Sequence, residues 1–155
     1  MTARTDTVAA EPLFLEISRL MDAPPALVFR MWSSPEHLIR WWGPKNFSST
    51  SRQLEFREGG RYHHLIHGPD GISDGMSGIF REIVENERIV FTFAWDHDPD
   101  WQTLVTVTLQ PEGDGTRLTF RQEPFHDVET RDSHRGGWGE CLDRLGDALA
   151  GRPVV

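Results

Sequence analysis

The sequence predicts an α+β fold in which one face of a curved antiparallel sheet packs against a long C-terminal helix. A strand pattern near the N-terminus is followed by two short helical patterns. Residues 47–123 then alternate between apolar and polar side chains in segments separated by turn sequences. Residues 130–150 carry apolar side chains at helical spacing. The predicted order is therefore strand, two short helices, about six strands and a long helix.

Composition limits the size and the partners of the protein. The 155 residues suffice for one domain that removes about 68–70% of its unfolded surface from water. The 24 acidic and 16 basic residues give a formal net charge of -8, and Lys45 is the single lysine. Nucleic acids and anionic membranes are bound by clustered Lys and Arg, so we expect neither as a partner.

The ends of the chain and its cysteine content predict where the domain lies and where it works. Residues 1–11 are polar and predict a disordered tail, residues 12–151 a single domain, and residues 152–155 a C-terminal tail. Cys141 is the lone cysteine, which excludes an internal disulfide and fits a reducing compartment. Because no run approaches 18 apolar residues, we expect a cytoplasmic protein.

The first strand and the short helices follow from local signals. Residues 12–20 alternate with Leu15 and Ile17 on one face, as in a half-buried strand. Asp22 is the expected N-cap of the first helix, with prolines in its first turn. Ser34 and Pro35 repeat this start signal for a second helix that runs through Trp42 and stops at Gly43-Pro44.

The middle of the chain predicts a series of antiparallel strands. Turn sequences rich in Gly, Asn, Asp and Pro separate segments of alternating polarity. We predict strands at residues 61–67, 76–84, 88–95, 103–110 and 116–122.

The last helix has one apolar and one polar side. Asp127 is its expected cap, and the apolar stripe runs through His134, Trp138, Leu142 or Cys141, Leu145 and Leu149. The opposite side is predicted to meet water through Arg135, Glu140, Asp143, Arg144 and Asp147. Glycines at 136, 137 and 139 each cost roughly 1 kcal/mol in a helix interior. Such glycines indicate either a close backbone approach or open space beside the Trp138 indole.

Six short segments carry a resemblance to a known family: Ala-Pro-Pro-Ala-Leu-Val-Phe at 23–29, Leu-Ile-Arg-Trp-Trp-Gly-Pro at 38–44, Gly-Gly-Arg-Tyr at 59–62, Gly-Ile-Phe-Arg-Glu-Ile at 78–83, Glu-Arg-Ile-Val-Phe-Thr at 87–92, and Gly137-Trp138. In this order they resemble the helix-grip (START-type, SRPBCC) superfamily. More narrowly, they resemble bacterial homologues of the activator of the ninety-kilodalton heat-shock protein ATPase. The resemblance covers residues 13–150 and implies a seven-stranded antiparallel sheet curled around the last helix, with a cavity between them. Because this fold hosts unrelated functions, the resemblance implies no particular activity.

The alternation within each strand selects the side chains that face the last helix. Further candidates come from the last helix and from the two short helices with the loop after them, which we call the helical corner. The candidate ligand-binding set is Trp42, Phe47, Tyr62, His64, Ile66, Met76, Phe80, Phe93, Trp95, Val107, Phe120, Gln122, His134 and Trp138. An apolar, aromatic set with few polar groups is typical of a small-molecule pocket. A solid aromatic core without a cavity is the alternative.

Few residues suggest catalysis or metal binding. His64 or His134 could move a proton or orient a ligand carboxylate, and the alternative for each is a neutral imidazole bonded within the protein. His63 and His67 share a strand face but lie about 13 Å apart, too far for one zinc ion. No metal-binding or cofactor-binding motif is present, so we expect neither metal nor cofactor. Cys141 is expected to be a buried, unreactive thiol.

The sequence therefore favours a protein that binds a small hydrophobic molecule, rather than an enzyme. A co-chaperone that stimulates a heat-shock ATPase is one alternative, implied by the resemblance. A cyclase, isomerase or hydrolase that uses His64 or His134 is another. A homodimer through a sheet edge or the helical corner is an open alternative.

Overall fold

The structure, a computed structural model, describes residues 13–155, so the tail predicted at residues 1–11 lies outside the described residues. The seven strands are β1 (Leu13–Met21), β2 (Ser48–Leu54), β3 (Arg61–His67), β4 (Ser73–Val84), β5 (Arg88–Trp95), β6 (Thr103–Glu112) and β7 (Gly115–Phe125). The three helices are α1 (Pro25–Ser33), α2 (Pro35–Leu38) and α3 (Val128–Leu149).

All seven strands belong to one antiparallel sheet. Their order is β1-β7-β6-β5-β4-β3-β2. The two edge strands are therefore β1 and β2, which precede and follow the short helices in the sequence. Helix α3 lies across the concave face and contacts β1 and β7, and α1 contacts β6, β7 and α3. This curved sheet, with a long C-terminal helix and short helices after β1, confirms the predicted α+β fold class.

The predicted strands all form, and three of them are longer than predicted. Strand β4 begins at Ser73 because Ser73 and Asp74 pair with the end of β3. Strand β7 continues to Phe125, which pairs with Leu13. Strand β2 had no predicted bounds; it is an edge strand of mostly polar residues, whose pattern is weak in the sequence.

The helix ends differ from prediction at the first two helices. The cap of α1 is Pro24 and not Asp22, because Pro24 adopts the extended conformation directly before the first helical residue. Helix α2 ends at Leu38, and the chain then turns through Gly43, whose φ of 105° favours glycine. Asp127 caps α3 as predicted, because its side chain accepts a hydrogen bond from the Thr130 N–H, and Gly151 follows the helix with a φ of 73°.

The buried side chains follow the predicted alternation. In β3, Tyr62, His64 and Ile66 are buried while Arg61 is exposed. Of the predicted helical stripe, Trp138, Cys141, Leu142 and Leu145 are buried, and His134 and Leu149 are half-buried. None of the helices among residues 13–155 is long and apolar enough to cross a membrane.

Candidate functional site

A cavity of about 440 Å³ lies beside the N-terminal half of α3. We call it the α3 cavity; its walls come from the helix, from strands β3 to β5 and from the loop after α2. Its lining residues are Trp42, Gly43, Pro44, Ile66, Met76, Phe93, Trp95, Glu129, Thr130, Ser133, His134, Gly137, Trp138 and Cys141. The exposed side chains of Glu129 and Ser133 lie at its mouth.

Half of the candidate residues line this cavity: Trp42, Ile66, Met76, Phe93, Trp95, His134 and Trp138. The other half do not. Tyr62, His64 and Phe80 face a separate void of only about 10 Å³, too small for a ligand. Val107 and Phe120 are fully buried, and Phe47 packs with its ring against Gly68.

The excluded residues face inward but meet other side chains there. The Phe120 and Trp138 rings lie 4.4 Å apart, so no space remains between β7 and the helix at this level. Tyr62 donates a 2.6 Å hydrogen bond to the Thr92 carbonyl and stacks on His64. Strand alternation identifies which side chains face the helix, but not which of them border empty space.

Seven lining residues were absent from the candidate set: Gly43, Pro44, Glu129, Thr130, Ser133, Gly137 and Cys141. The signal that could have found part of this wall was the glycine cluster around Trp138. In the described chain, a Cβ atom built on Gly136 or Gly137 would meet nothing within 4 Å. At the exposed Gly136 this space is solvent, and at Gly137 it is the cavity.

Gln122 organises the polar groups at the back of the cavity. Its Oε1 accepts hydrogen bonds from Trp138 Nε1 at 2.9 Å and from His134 Nδ1 at 3.2 Å. Its Nε2 donates to the Thr103 hydroxyl at 2.8 Å. Trp95 Nε1 donates to His134 Nε2 at 3.2 Å. These bonds assign the His134 proton to Nδ1, because Nε2 must act as the acceptor.

Both candidate histidines are neutral near pH 7. Burial lowers the pKa of His134 to about 4. Burial, with a smaller contribution from neighbouring His63, also lowers the pKa of His64 to about 4. Both ring nitrogens of His134 are already bonded, which opposes a role in proton transfer. His64 Nδ1 is buried and has no partner among the described residues, but it faces the small void and not the α3 cavity.

Arg144 holds the loop that forms one wall of the cavity. The sequence predicted that Arg144 would meet water, and this is wrong, because only 6% of the residue is exposed. Its Nη1 lies 2.7–3.3 Å from the carbonyl oxygens of residues 41–44, and its Nη2 donates to the Phe47 carbonyl at 2.9 Å. Burial lowers the pKa of Arg144. The guanidinium therefore satisfies the carbonyl groups of a tight turn that no helix or strand pairs.

Two further side chains of α3 hold the same loop. The Gly43 N–H donates to the sulfur of Cys141 at 3.3 Å, and the Lys45 N–H donates to Glu140 at 3.1 Å. Burial raises the pKa of the Cys141 thiol to about 12, which agrees with the expected unreactive thiol. Among residues 13–155, no group of three or more His, Cys, Asp or Glu side chains could hold a metal ion.

The fold and the cavity together define the class. A seven-stranded antiparallel sheet, two short helices after β1 and a long C-terminal helix over a cavity make this a START-type helix-grip protein. Residues 22–150 match the family described as "Activator of Hsp90 ATPase homolog 1-like protein". The chain therefore belongs to this family, as the sequence resemblance indicated.

Solved structures agree with this assignment. A protein from Chromobacterium violaceum is 27% identical, with a TM-score of 0.80 over 88% of this chain and 96% of that chain. The AHSA1 protein from Silicibacter pomeroyi is 25% identical, with a TM-score of 0.80 over 89% of this chain and 98% of that chain. A protein from Arthrobacter aurescens is 26% identical, with a TM-score of 0.80 over 93% and 92% of the two chains. A search of curated protein sequences found no match.

Proposed function

We propose that this protein binds a small apolar molecule in the α3 cavity. The supporting observation is the cavity itself: about 440 Å³ falls within the range of roughly 300–1,000 Å³ typical of ligand pockets. Its wall is mainly apolar and includes Trp42, Phe93, Trp95 and Trp138. A ligand there would remove its own apolar surface from water, a gain of roughly 25 cal/mol per Å².

The walls are held in place without a ligand, which favours binding. Arg144 fixes the loop that carries Trp42 and Gly43, and Gln122 fixes the indole of Trp138 and the ring of His134. Little side-chain entropy would then be lost when a ligand enters. A cavity maintained by dedicated hydrogen bonds differs in this respect from a packing defect that side chains could collapse into.

The test compares two leucine substitutions one residue apart. Gly137→Leu places a side chain into the cavity, whereas Gly136→Leu places the same side chain into solvent. Both remove one helical glycine, so both carry the same gain in helix propensity. The measurements are the fluorescence of the neutral dye Nile red and of the cavity tryptophans, with native mass spectrometry for retained ligands. We expect the native protein and Gly136→Leu to bind, and Gly137→Leu to lose binding.

Equal binding by Gly137→Leu and Gly136→Leu, at equal thermal stability, would place the dye elsewhere and contradict the proposal. Absence of any ligand across a library of neutral apolar compounds would contradict it as well.

A second candidate function comes from the family match alone. The family description names activation of the Hsp90 ATPase, and residues 22–150 match it. If this chain has that activity, adding it to a bacterial heat-shock ATPase of the same kind should raise the rate of ATP hydrolysis. An unchanged rate, together with no complex in analytical ultracentrifugation, would rule out this second function. The proposal of ligand binding does not depend on this result.

A further inference from the structure

We infer that the α3 cavity selects by charge: it accepts neutral and cationic apolar molecules, prefers an aliphatic amine, and rejects the matching carboxylate. This inference rests on the proposed function and specifies its ligand class. Three features of the cavity carry it: the charge of its lining, the engagement of its hydrogen-bond donors and its aromatic surface.

The lining carries one formal charge, and that charge is negative. Of the lining residues, Glu129 is the only acidic one, and none is Lys or Arg. Glu129 is exposed at the mouth and has no ion-pair partner among the described residues. The guanidinium of Arg144 lies behind Gly43, outside the lining, and its N–H groups are occupied by backbone carbonyls. A ligand anion would therefore find no Lys or Arg side chain in the lining with which to pair.

The indole, imidazole and Gly43 donors of the cavity wall are already used. Trp138 Nε1 donates to Gln122, and Trp95 Nε1 donates to His134. His134 gives its proton to Gln122, and the Gly43 N–H is bonded to Cys141. A carboxylate needs several donors when it leaves water, because an unpaired buried charge is strongly disfavoured. Apart from the hydroxyl groups of Thr130 and Ser133 on α3, the lining side chains supply none without breaking an existing bond.

The N-terminus of α3 does not reverse this preference. A helix N-terminus attracts anions through its unpaired N–H groups. Here the Asp127 carboxylate already accepts the Thr130 N–H, and Arg131 N–H is bonded to the Asp127 carbonyl. With Glu129 in the same first turn, the helix start carries two carboxylates, whose negative charge repels a ligand anion.

The aromatic wall adds an attraction for cations. Trp42, Phe93, Trp95 and Trp138 surround the space, with the Trp42 and Trp138 rings 5.2 Å apart and the Phe93 and Trp95 rings 5.3 Å apart. Aromatic faces attract an ammonium group within about 6 Å, most strongly when it is shielded from water. An amine whose alkyl chain enters the cavity would have indole rings beside it and the Glu129 carboxylate at the mouth.

The experiment uses three probes that differ only in the head group: 4-phenylbutylamine, 4-phenylbutanol and 4-phenylbutyrate. Dissociation constants are measured at pH 7 by calorimetry on the full chain. We expect the amine to bind most tightly, the alcohol next, and the butyrate at least tenfold more weakly than the amine. Glu129→Gln should reduce the preference for the amine over the alcohol, measured as the ratio of their dissociation constants, about threefold or more.

Glu87→Gln is the matched control. It removes one negative charge from the chain as Glu129→Gln does, but Glu87 lies in the turn before β5, at the end of that strand remote from Trp95. It should leave all three affinities unchanged, which separates the local carboxylate from the net charge of -8.

The outcomes distinguish this inference from the proposed function. Butyrate binding as tight as amine binding would overturn the charge selection while supporting a ligand cavity. An equal loss of amine affinity in Glu129→Gln and Glu87→Gln would overturn the role of Glu129. If none of the three probes binds but Nile red does, the inferred ligand class is wrong and the cavity still binds apolar molecules. If neither the probes nor Nile red binds, both proposals are wrong.

Discussion

Gln122 is the residue through which β7 and α3 share hydrogen bonds. It is fully buried and bonds Trp138, His134 and Thr103 at once. A buried amide is stable only when its donors and acceptors are paired, and here both ends of the side chain are used. The residue therefore acts as a spacer that keeps two cavity residues at fixed positions.

Gln122→Leu should destabilise the protein by about 2–4 kcal/mol, because it leaves the Trp138 and His134 N–H groups without an acceptor in a buried site. Urea denaturation followed by tryptophan fluorescence measures the loss. Gln110→Leu is the control, since Gln110 is exposed on the neighbouring strand β6, and it should change stability by less than about 0.5 kcal/mol. Equal effects of the two substitutions would contradict this role of Gln122.

The burial of neutral His64 makes the free energy of unfolding depend on pH. The folded pKa is about 4, and an unfolded histidine titrates near 6.5. Between these values the unfolded chain binds more protons, so the free energy of unfolding falls as the pH falls from 6.5 towards 4. Above pH 6.5 the contribution is complete and constant.

His64→Phe should flatten this acid dependence by at most about 1.4 kcal/mol per pH unit between pH 6 and 4.5, because phenylalanine keeps the ring contacts with Tyr62 and Trp42 but does not titrate. Denaturation midpoints measured across that range test it. His97→Gln, which changes an exposed histidine, should leave the slope as in the native protein. If His64→Phe leaves the slope unchanged, protonation of His64 does not contribute to the loss of stability in acid.

At the scale of elements, α3 has two functions in its two halves. The C-terminal half buries Leu142, Leu145 and Ala148 in the core. The N-terminal half carries Gly137 and Trp138 beside the cavity. Arg144, also in the C-terminal half, joins the helix to the turn after α2. The position of the cavity wall therefore depends on a helix-to-loop contact distant in sequence.

Arg144→Lys should loosen the loop at residues 41–47, because a lysine ammonium keeps the charge but cannot reach carbonyls on both sides with a planar fork. We expect faster amide hydrogen exchange in this loop and a stability loss of about 2 kcal/mol. Arg135→Lys, on the exposed face of the same helix, should change neither. If the loop of Arg144→Lys exchanges its amide hydrogens as slowly as that of the native protein, the loop is stable without the Arg144 hydrogen bonds.

At the scale of the whole molecule, a ligand in the α3 cavity would contact strands, loop and helix together. Binding to the folded state alone raises the free energy of unfolding by about 2.7 kcal/mol at a ligand concentration of 100 Kd. For a chain of this length, that corresponds to an increase in Tm of about 5–10 °C.

This increase should occur with 4-phenylbutanol or Nile red in the native protein and in Gly136→Leu, and be absent in Gly137→Leu, as measured by thermal denaturation. Equal increases in both variants would indicate binding outside the cavity.

The sequence alone predicted the fold class, the order of elements and the face of each strand that is buried. These features follow from the spacing of apolar residues along each strand or helix. The hydrophobic effect buries the apolar face of an element whatever its position in the fold. The predicted strand bounds were less accurate where pairing with a neighbouring strand extends the element, as at the start of β4 and the end of β7. Asp22 shows the same limit, because Pro24 and not Asp22 became the cap.

Only the tertiary structure decided which inward side chains border the cavity and which are sealed in the core. That choice depends on how far α3 stands from each strand: Phe120 meets the Trp138 ring, whereas Phe93 and Trp95 border open space. It likewise decided that Arg144, on the polar side of the helical pattern, is buried against a loop about 100 residues away. Spacing along a chain determines the face of an element, but empty space and long-range hydrogen bonds arise only when elements meet.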